Sequence, residues 1–138
     1  MNTIYVSSCL LKKKNKILIT SRPKGKFLSG FYELPGGKLK KDESFIDCIK
    51  REIKEEINLQ IHDNDITNLD LITHKYKKTI IIMMVFMVNK WKGKIRCNEN
   101  QKIAWISPYE IRNFKFLPGS KILFNMLIKN EYGIFYGK

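Results

Sequence analysis

The chain has 138 residues, of which 43% are hydrophobic. We therefore expect one domain over residues 1–138, because a chain of this length is too short for two domains. The 26 Lys and Arg residues against 13 Asp and Glu give a formal net charge of +13, which indicates an anionic partner such as a nucleotide, nucleic acid or acidic membrane surface. A general enrichment in Lys, Ile and Asn produces the same charge without a binding role, so charge alone does not assign a function.

Three scattered cysteines, Cys9, Cys48 and Cys97, lack the paired short spacing of a disulfide framework or zinc site. We therefore expect a reducing, cytoplasmic setting. The amino terminus lacks the basic and apolar order of a secretion signal. The longest apolar run, residues 80–88, has about half the length that a membrane-spanning helix needs, so we expect no membrane association.

The first quarter of the chain contains the signals of short strands. Residues 4–11 and 16–20 are apolar and rich in β-branched side chains, which predicts a hairpin around the lysine-rich turn between them. The polar, glycine-bearing residues 21–30 predict a loop, and residues 31–34 a brief strand. Residues 35–37, Pro-Gly-Gly, predict that regular structure ends there.

From Ser44 the apolar period changes to that of a helix. The repeating positions are Phe45, Ile49, Ile53 and Ile57. They form one stripe on a helix of about four turns. Ser44 can cap this helix, Asp47 suits its first turn, and Asn58 suits its end because Asn tolerates the left-handed conformation.

The second half predicts further strands and then helices. Residues 69–76, 79–89 and 102–106 are strands, and the second of these is apolar on both faces, which places it centrally in a covered sheet. A short helix begins after Ser107, and a last helix covers about residues 120–130. The buried stripe of the last helix is predicted as Ile122, Leu123, Met126 and Leu127. This order predicts an α/β or α+β fold, a mixed sheet with helices packed on it.

Three glutamates, Glu52, Glu55 and Glu56, lie at spacings of three and four and therefore project from one side of the predicted helix. Like charges near a helix C-terminus cost stability unless a cation binds them. Carboxylate oxygens suit Mg²⁺ or Mn²⁺. The alternative is a solvated charged face, with Lys50, Arg51 and Lys54 supplying local pairing.

The spacing around these glutamates is specific. The pattern is Gly37, five residues, Glu43, seven residues, Arg51-Glu52-Ile53, one residue, Glu55-Glu56, two residues, Leu59. It resembles the Nudix box at every position except Asn58, where the family has Gly and where Asn preserves a left-handed helix end. The resemblance implies a Nudix-like α/β/α sandwich, a mixed β-sheet between helices. It also implies Mg²⁺-dependent hydrolysis of a nucleoside diphosphate linked to another group, with Mn²⁺ as a possible substitute.

The same resemblance implies roles for individual residues. It gives Glu52, Glu55 and Glu56 as metal ligands assisted by the carbonyl of Gly36. Arg51 and Glu43 would pair to brace the loop, including Gly37, against the helix. The general base stays open among Glu52, Glu56 and Glu99.

The similarity extends to the MutT-type branch, whose members hydrolyse oxidised nucleotides. It rests on Arg22, the run FYELPGGK, and the spacing of Trp91, Gly93, Glu99, Gln101 and Trp105. It implies that Glu99 faces the metals as a fourth ligand or proton acceptor; a plain surface acid is the alternative. The implied reaction takes a nucleoside triphosphate such as 8-oxo-dGTP to the monophosphate and pyrophosphate, by attack of water on the β-phosphorus.

Candidates for substrate binding are less distinctive. Arg22 and Lys38 can reach phosphates, and Phe27, Leu34 and Phe116 form either an apolar slot for the base or ordinary packing. Ser120 stands where the MutT branch has a base-reading Asn, and a hydroxyl cannot reproduce the paired donor and acceptor of an amide.

Three other functions therefore stay open. The first is a broader CTP or dCTP pyrophosphatase. The second is removal of pyrophosphate from RNA 5′ ends, and the third is a non-catalytic nucleic-acid-binding module of the same fold. Concentrated carboxylates argue against a module that only binds phosphate, so a nucleic-acid partner is not favoured. We expect a monomer.

Overall fold

The computed structural model describes residues 1–136, which form a mixed β-sheet with one helix on each face. The strands are β1 (Asn2–Lys13), β2 (Lys16–Ser21), β3 (Tyr32–Glu33), β4 (Gly36–Lys38), β5 (Ile66–Tyr76), β6 (Thr79–Val88) and β7 (Ile103–Ile106). The α-helices are α1 (Phe45–Ile57) and α2 (Lys121–Ile128), and short 3₁₀ helices cover Asp63–Asp65, Pro108–Asn113 and Pro118–Ser120. None of the helices in residues 1–136 is long and apolar enough to span a bilayer.

The sheet is organised around β1. The strand order is β3, β2, β1, β6, β5, with β4 paired to β1 and β7 paired to β2. β1 and β6 are parallel from Asn2 opposite Thr79 to Leu11 opposite Val88, whereas the other pairs are antiparallel. The predicted hairpin, the mixed sheet and the interior position of β6 are therefore confirmed.

Side chains alternate between two apolar clusters, one on each face of the sheet. On β1, Cys9 and Leu11 point to the cluster beneath α1, whereas Leu10 between them points to the cluster beneath α2. From α1, Ile49 and Ile53 are fully buried in the first cluster. This alternation is the period of two that a strand covered on both faces requires, and it produces the predicted sandwich.

Helix α1 begins and ends where the sequence predicts. The Ser44 hydroxyl accepts a hydrogen bond from the N–H of Asp47 at 3.0 Å. Asn58 has φ 64° and ψ 31°. Its N–H donates to the Lys54 carbonyl at 3.1 Å, and the N–H of Leu59 donates to the Ile53 carbonyl at 3.5 Å. The left-handed residue at position 58 is the one at which the Nudix box has glycine.

The predicted end of regular structure at residues 35–37 is wrong. Gly36 and Gly37 form β4 with Lys38, pairing antiparallel with Ser7 and Ser8 of β1. A Cβ on Gly36 would overlap the Ser7 carbonyl oxygen, so glycine is what permits this close pairing. The strand therefore depends on the absence of a side chain.

The predicted buried stripe of the last helix is also partly wrong. Ile122 is 46% exposed, and Phe124 is buried in its place beside Leu123 and Leu127. The predicted helix after Ser107 is present as the 3₁₀ helix Pro108–Asn113, with the Ser107 N–H donating to Glu110 Oε1 at 3.0 Å.

Candidate active site

A cleft of about 280 Å³ lies between the last turns of α1, strand β4 and two loops, residues 22–31 and 94–101. It is lined by Ser21, Arg22, Pro23, Lys26, Glu33, Gly36, Gly37, Glu52, Glu55, Glu56, Glu99 and Gln101. The fold thus gathers in one place all four carboxylates that the sequence predicts as metal ligands, although Glu99 is 43 residues from Glu56 in the chain.

The two glycines of β4 bring the backbone against the carboxylates. A Cβ on Gly37 would overlap the carboxylate of Glu52, so only glycine leaves that side chain its place. The N–H of Gly36 donates a hydrogen bond to Glu56 Oε1 at 3.0 Å. Strand β4 therefore positions two of the three helical glutamates.

Arg51 holds the other side of the cluster. Its Nε and Nη2 donate to Glu43 Oε2 and Oε1 at 2.7 and 2.9 Å, a bidentate pair that joins the loop before α1 to the helix. Its Nη1 donates to Glu52 Oε2 at 2.9 Å and Glu55 Oε1 at 3.0 Å. The Arg51 hydrogen bonds, with one from the N–H of Lys40, lower the pKa of Glu43 to about 2.

Carboxyl groups crowd the inner side of the cleft. Burial, followed by the charge of Glu52, raises the pKa of Glu56 to about 9. Burial also raises the pKa values of Glu52 and Glu33, against the opposing effect of an arginine in each case. In the described part of the chain, no three His, Cys, Asp or Glu side chains are already spaced as ligands of one ion, and Arg51 pairs with two of the carboxylates.

The loop of residues 94–101 is fastened to the C-terminal end of α1. The backbone N–H of Asn98 donates to the Glu56 carbonyl at 2.9 Å, and its side-chain amide donates to the Glu55 carbonyl at 2.8 Å. These carbonyls belong to the last turn, where no intrahelical donor is available. The loop therefore caps the helix and lies over the carboxylates.

Gln101 fixes Glu99 within this loop. It is 5% exposed; its Nε2 donates to the Glu56 carbonyl at 3.2 Å, and its Oε1 accepts from the N–H of Glu99 at 3.1 Å. One buried amide thus connects the helix end to the backbone of the fourth carboxylate.

The predicted phosphate-binding residues have different surroundings. Arg22 lies in the cleft, with Nη1 3.6 Å from Glu33 Oε2 and Nε donating to the Phe27 carbonyl at 3.3 Å. Lys38 is exposed and is not among the lining residues; its carbonyl accepts from Arg51 Nη2 at 3.1 Å.

The predicted base-binding residues do not meet in one slot. Phe27 is 74% exposed on the loop of residues 22–31, whereas Leu34 and Phe116 are buried in the cluster beneath α2. Phe116 stacks on Phe124. Ser120 is buried at the end of the 3₁₀ helix that leads into α2, outside the cleft lining.

The sequence did not predict four polar residues of the cleft, which are Ser21, Lys26, Glu33 and Gln101. Glu33 and Gln101 served only as landmarks of spacing. Glu33 lies on β3 next to buried Leu34, and Gln101 is a buried amide ahead of an apolar strand. Glu33 directly precedes Leu34, and Gln101 lies two residues before strand β7. Such positions are consistent with strand ends, but they do not reveal which site a strand end faces.

Comparisons with known proteins identify the family and the fold. A model of the NUDIX domain family matches residues 8–126. The 8-oxo-dGTP diphosphatase of Buchnera aphidicola subsp. Schizaphis graminum is 35% identical over 118 residues, covering 85% of this chain and 88% of that protein. The CTP pyrophosphohydrolase of Escherichia coli (strain K12) is 27% identical over 120 residues, 86% of each chain.

A solved structure has the same fold. MutT, from work on the Aliivibrio salmonicida and Vibrio cholerae proteins, matches with a TM-score of 0.78 over 94% of this chain and 99% of that one, at 22% identity. That likeness concerns the fold alone. Together with the family match and the Buchnera relative, it places the Nudix-box glutamates on a Nudix scaffold, and the chain belongs to the MutT-like branch of the Nudix hydrolases.

Proposed function

We propose that this protein is a Mg²⁺-dependent nucleoside triphosphate pyrophosphohydrolase of MutT type, converting substrates such as 8-oxo-dGTP to the monophosphate and pyrophosphate. The observation that carries the proposal is the cleft in which Glu52, Glu55, Glu56 and Glu99 line one wall and Arg22 lies among the other lining residues. The 35% identity with a diphosphatase of 8-oxo-dGTP supports the substrate class.

The donor set fits a divalent cation. Four carboxylates share the cleft, and crowding of this kind, with a buried Glu56 of raised pKa, favours binding of positive charge. We assign Glu52, Glu55, Glu56 and Glu99 as its ligands, with the Gly36 carbonyl assisting. Bound Mg²⁺ supplies neutralisation of the phosphates and a lowered pKa for bound water; Mn²⁺ is the expected substitute.

The side chains of the cleft divide the remaining work. Arg22 and Lys26 provide positive charge for the phosphates, and Glu52, Glu56 and Glu99 are the candidates to accept the proton of the attacking water. The water oxygen bonds to the β-phosphorus while the bond from that phosphorus to the α–β bridging oxygen breaks. The monophosphate leaves with the bridging oxygen, and the new oxygen remains in pyrophosphate.

A pyrophosphate-release screen with Mg²⁺ over canonical and oxidised nucleotides tests the activity. We expect the highest kcat/KM with an oxidised nucleoside triphosphate. In ¹⁸O-labelled water the label should enter pyrophosphate, and label in the monophosphate would contradict attack on the β-phosphorus.

Glutamine variants test the assignment of roles. Glu52→Gln, Glu56→Gln and Glu99→Gln each remove one charge at nearly constant volume, and loss of general-base function costs roughly 100-fold to 10,000-fold in kcat. Glu131→Gln, a charge removal outside the cleft, is the matched control. Unchanged kcat in all three cleft variants would refute the assignment.

A broader pyrimidine activity is the second candidate, because the chain is 27% identical to a CTP pyrophosphohydrolase and has Ser120 where the branch has Asn. CTP and dCTP therefore belong in the same screen, together with 5′-triphosphorylated RNA. A higher kcat/KM for one of these than for any oxidised purine nucleotide would replace the first assignment of substrate.

A further inference from the structure

Two grooves of about 550 and 530 Å³ meet at Lys13 and share no lining residue with the carboxylate cleft. Trp91, Lys13, Lys90 and Lys92 line one groove, together with Asp65. Trp105, Lys13, Lys14 and Lys16 line the other. We call Trp91, Trp105 and the five lysines of these grooves the tryptophan-lysine surface.

The two indoles lie at the centre of this surface. Trp91 and Trp105 are stacked, with ring centroids 5.9 Å apart and planes at 19°. Both pack against the apolar cluster beneath α1 and both stay partly exposed. Fixed, partly exposed indoles are surfaces on which nucleobases stack regardless of sequence.

The lysines around the indoles are available to bind an anion. Lys13, Lys14, Lys16, Lys90 and Lys92 are all exposed, and within residues 1–136 none of them forms an ion pair or donates a side-chain hydrogen bond to the protein. Among the residues that line the two grooves, Asp65 alone is acidic. The two grooves therefore carry an excess of positive charge, with five lysines against Asp65.

We propose that the tryptophan-lysine surface binds single-stranded nucleic acid, with phosphates on the lysines and unpaired bases against the indoles. Lysines alone suit any polyanion, but partly exposed stacking rings select a ligand whose bases are free, which excludes a duplex. The inference does not depend on the proposed hydrolysis, since no residue of this surface lines the carboxylate cleft.

Fluorescence anisotropy of a fluorescein-labelled oligo(dT) of about twelve nucleotides tests the lysines. Lys90→Ala with Lys92→Ala should weaken binding and reduce the slope of log K against log salt by about 1.4, because each single-strand phosphate contact contributes about 0.7. The matched control is Lys75→Ala with Lys129→Ala, two exposed lysines outside the surface, which should leave the slope unchanged.

Intrinsic fluorescence tests the indoles, because the chain has two tryptophans and both belong to this surface. We expect oligo(dT) to quench the emission. Trp105→Ala should weaken binding by about fivefold or more, the loss that corresponds to about 1 kcal/mol of base stacking. Trp91→Ala provides a second variant should the first fail to fold, as judged by circular dichroism.

The proposal would be overturned if oligo(dT) did not quench the tryptophan emission, or if the two double-lysine variants lost binding equally. It would also be overturned if Lys90→Ala with Lys92→Ala weakened binding to anionic phosphatidylserine vesicles but left oligo(dT) binding unaffected. Nucleotide hydrolysis separates this inference from the proposed function. Lys90→Ala with Lys92→Ala should retain hydrolysis, and Glu56→Gln should retain oligo(dT) binding. If oligo(dT) binds and no nucleotide is hydrolysed, the proposed function alone fails.

Discussion

The carboxylate cleft and the turn before α2 are both candidate substrate regions, and they differ in how firmly their polar side chains are held. In the cleft, Arg51 joins Glu43, Glu52 and Glu55, and Gln101 fixes the loop of Glu99. The Ser120 hydroxyl forms no side-chain hydrogen bond with the described residues. The chain thus specifies the groups expected to act on phosphates in more detail than those expected to select a base.

The largest effect is expected when a glycine of the carboxylate cleft is replaced by alanine and compared with the same substitution in the turn before α2. Gly37→Ala places a methyl group against the Glu52 carboxylate, and a displacement of about 1 Å at such a group costs about 100-fold in kcat/KM. Thermal stability should change little, because the displaced atoms are the end of a flexible side chain. At Gly119 an added Cβ meets the His74 ring at 3.6 Å, an ordinary contact.

Steady-state kinetics and thermal melts of Gly37→Ala and Gly119→Ala check this difference. Gly119→Ala should stay within about twofold of the unaltered protein, as expected for a substitution without a clash. Equal losses in the two variants would show that the cleft is no more sensitive than the turn.

A smaller loss is expected when the support of Glu99 is removed. Gln101→Leu deletes both hydrogen bonds that connect the Glu56 carbonyl to the Glu99 backbone, and we expect kcat to fall about tenfold, equivalent to about 1.4 kcal/mol. KM should change less, because Glu99 is assigned to the metal rather than to the nucleotide. Gln60→Leu, at an exposed position, is the control, and a loss of equal size there would remove the special role of Gln101.

Replacing Glu56 should raise thermal stability while it removes a proposed catalytic group. Without divalent cations and near neutral pH, Glu56→Gln should raise Tm by roughly 3 °C, the shift expected for about 1 kcal/mol in a domain of this size. The reason is that a carboxyl whose pKa is raised to about 9 must take up a proton when the chain folds, whereas glutamine does not. Adding Mg²⁺ should stabilise the unaltered protein more than the variant. Glu131→Gln should show neither effect, and a Tm decrease in Glu56→Gln without Mg²⁺ would contradict the interpretation.

Acid titration tests the Glu43 and Arg51 pair. The pKa of Glu43 is lowered to about 2 by Arg51, so the pair stabilises the folded state above the ordinary pKa of 4.5, and this contribution is lost as pH falls toward 2. Glu43→Gln should therefore flatten the fall of unfolding free energy between these pH values, measured by urea titration. Glu110→Gln is the comparison variant, because the pKa of Glu110 is also lowered, in this case by hydrogen bonds from Ser107.

The smallest effect is expected at the turn before α2. Ser120→Ala removes a hydroxyl without a partner in the described chain, so kcat/KM for 8-oxo-dGTP should change by less than about threefold. Competition between 8-oxo-dGTP and dGTP measures this directly. A tenfold change in their ratio would show that Ser120 reads the base after all.

Local signals predicted the segment that carries most of the site. The cap at Ser44, the isoleucine stripe and the left-handed end at Asn58 all lie within one stretch of sequence, and α1 has the predicted bounds. Strand β4 was missed because its pairing partner, Ser7 to Ser8, is distant in sequence and because glycine disfavours strands on its own. Phe124 replaced Ile122 because packing against the sheet, rather than periodicity alone, selects the buried face.

The same distinction between local and distant signals applies to the site. Helix geometry was sufficient to group Glu52, Glu55 and Glu56, whereas Glu99 came from family resemblance, because its approach depends on hydrogen bonds to the helix end. Apolar residues such as Leu34 and Phe116 give no sequence signal that separates a base-binding surface from a core, and both lie in the core.

The fastening of the 94–101 loop also decides where the chain tolerates a change of length. That loop is hydrogen-bonded to the end of α1, so an inserted residue would either break these hydrogen bonds or displace Glu99. The loop of residues 22–31 is closed mainly by its own turns, and Gly25 faces open space. Length variation among homologous chains should therefore collect near Gly25 and stay out of the 94–101 loop, although both border the same cleft.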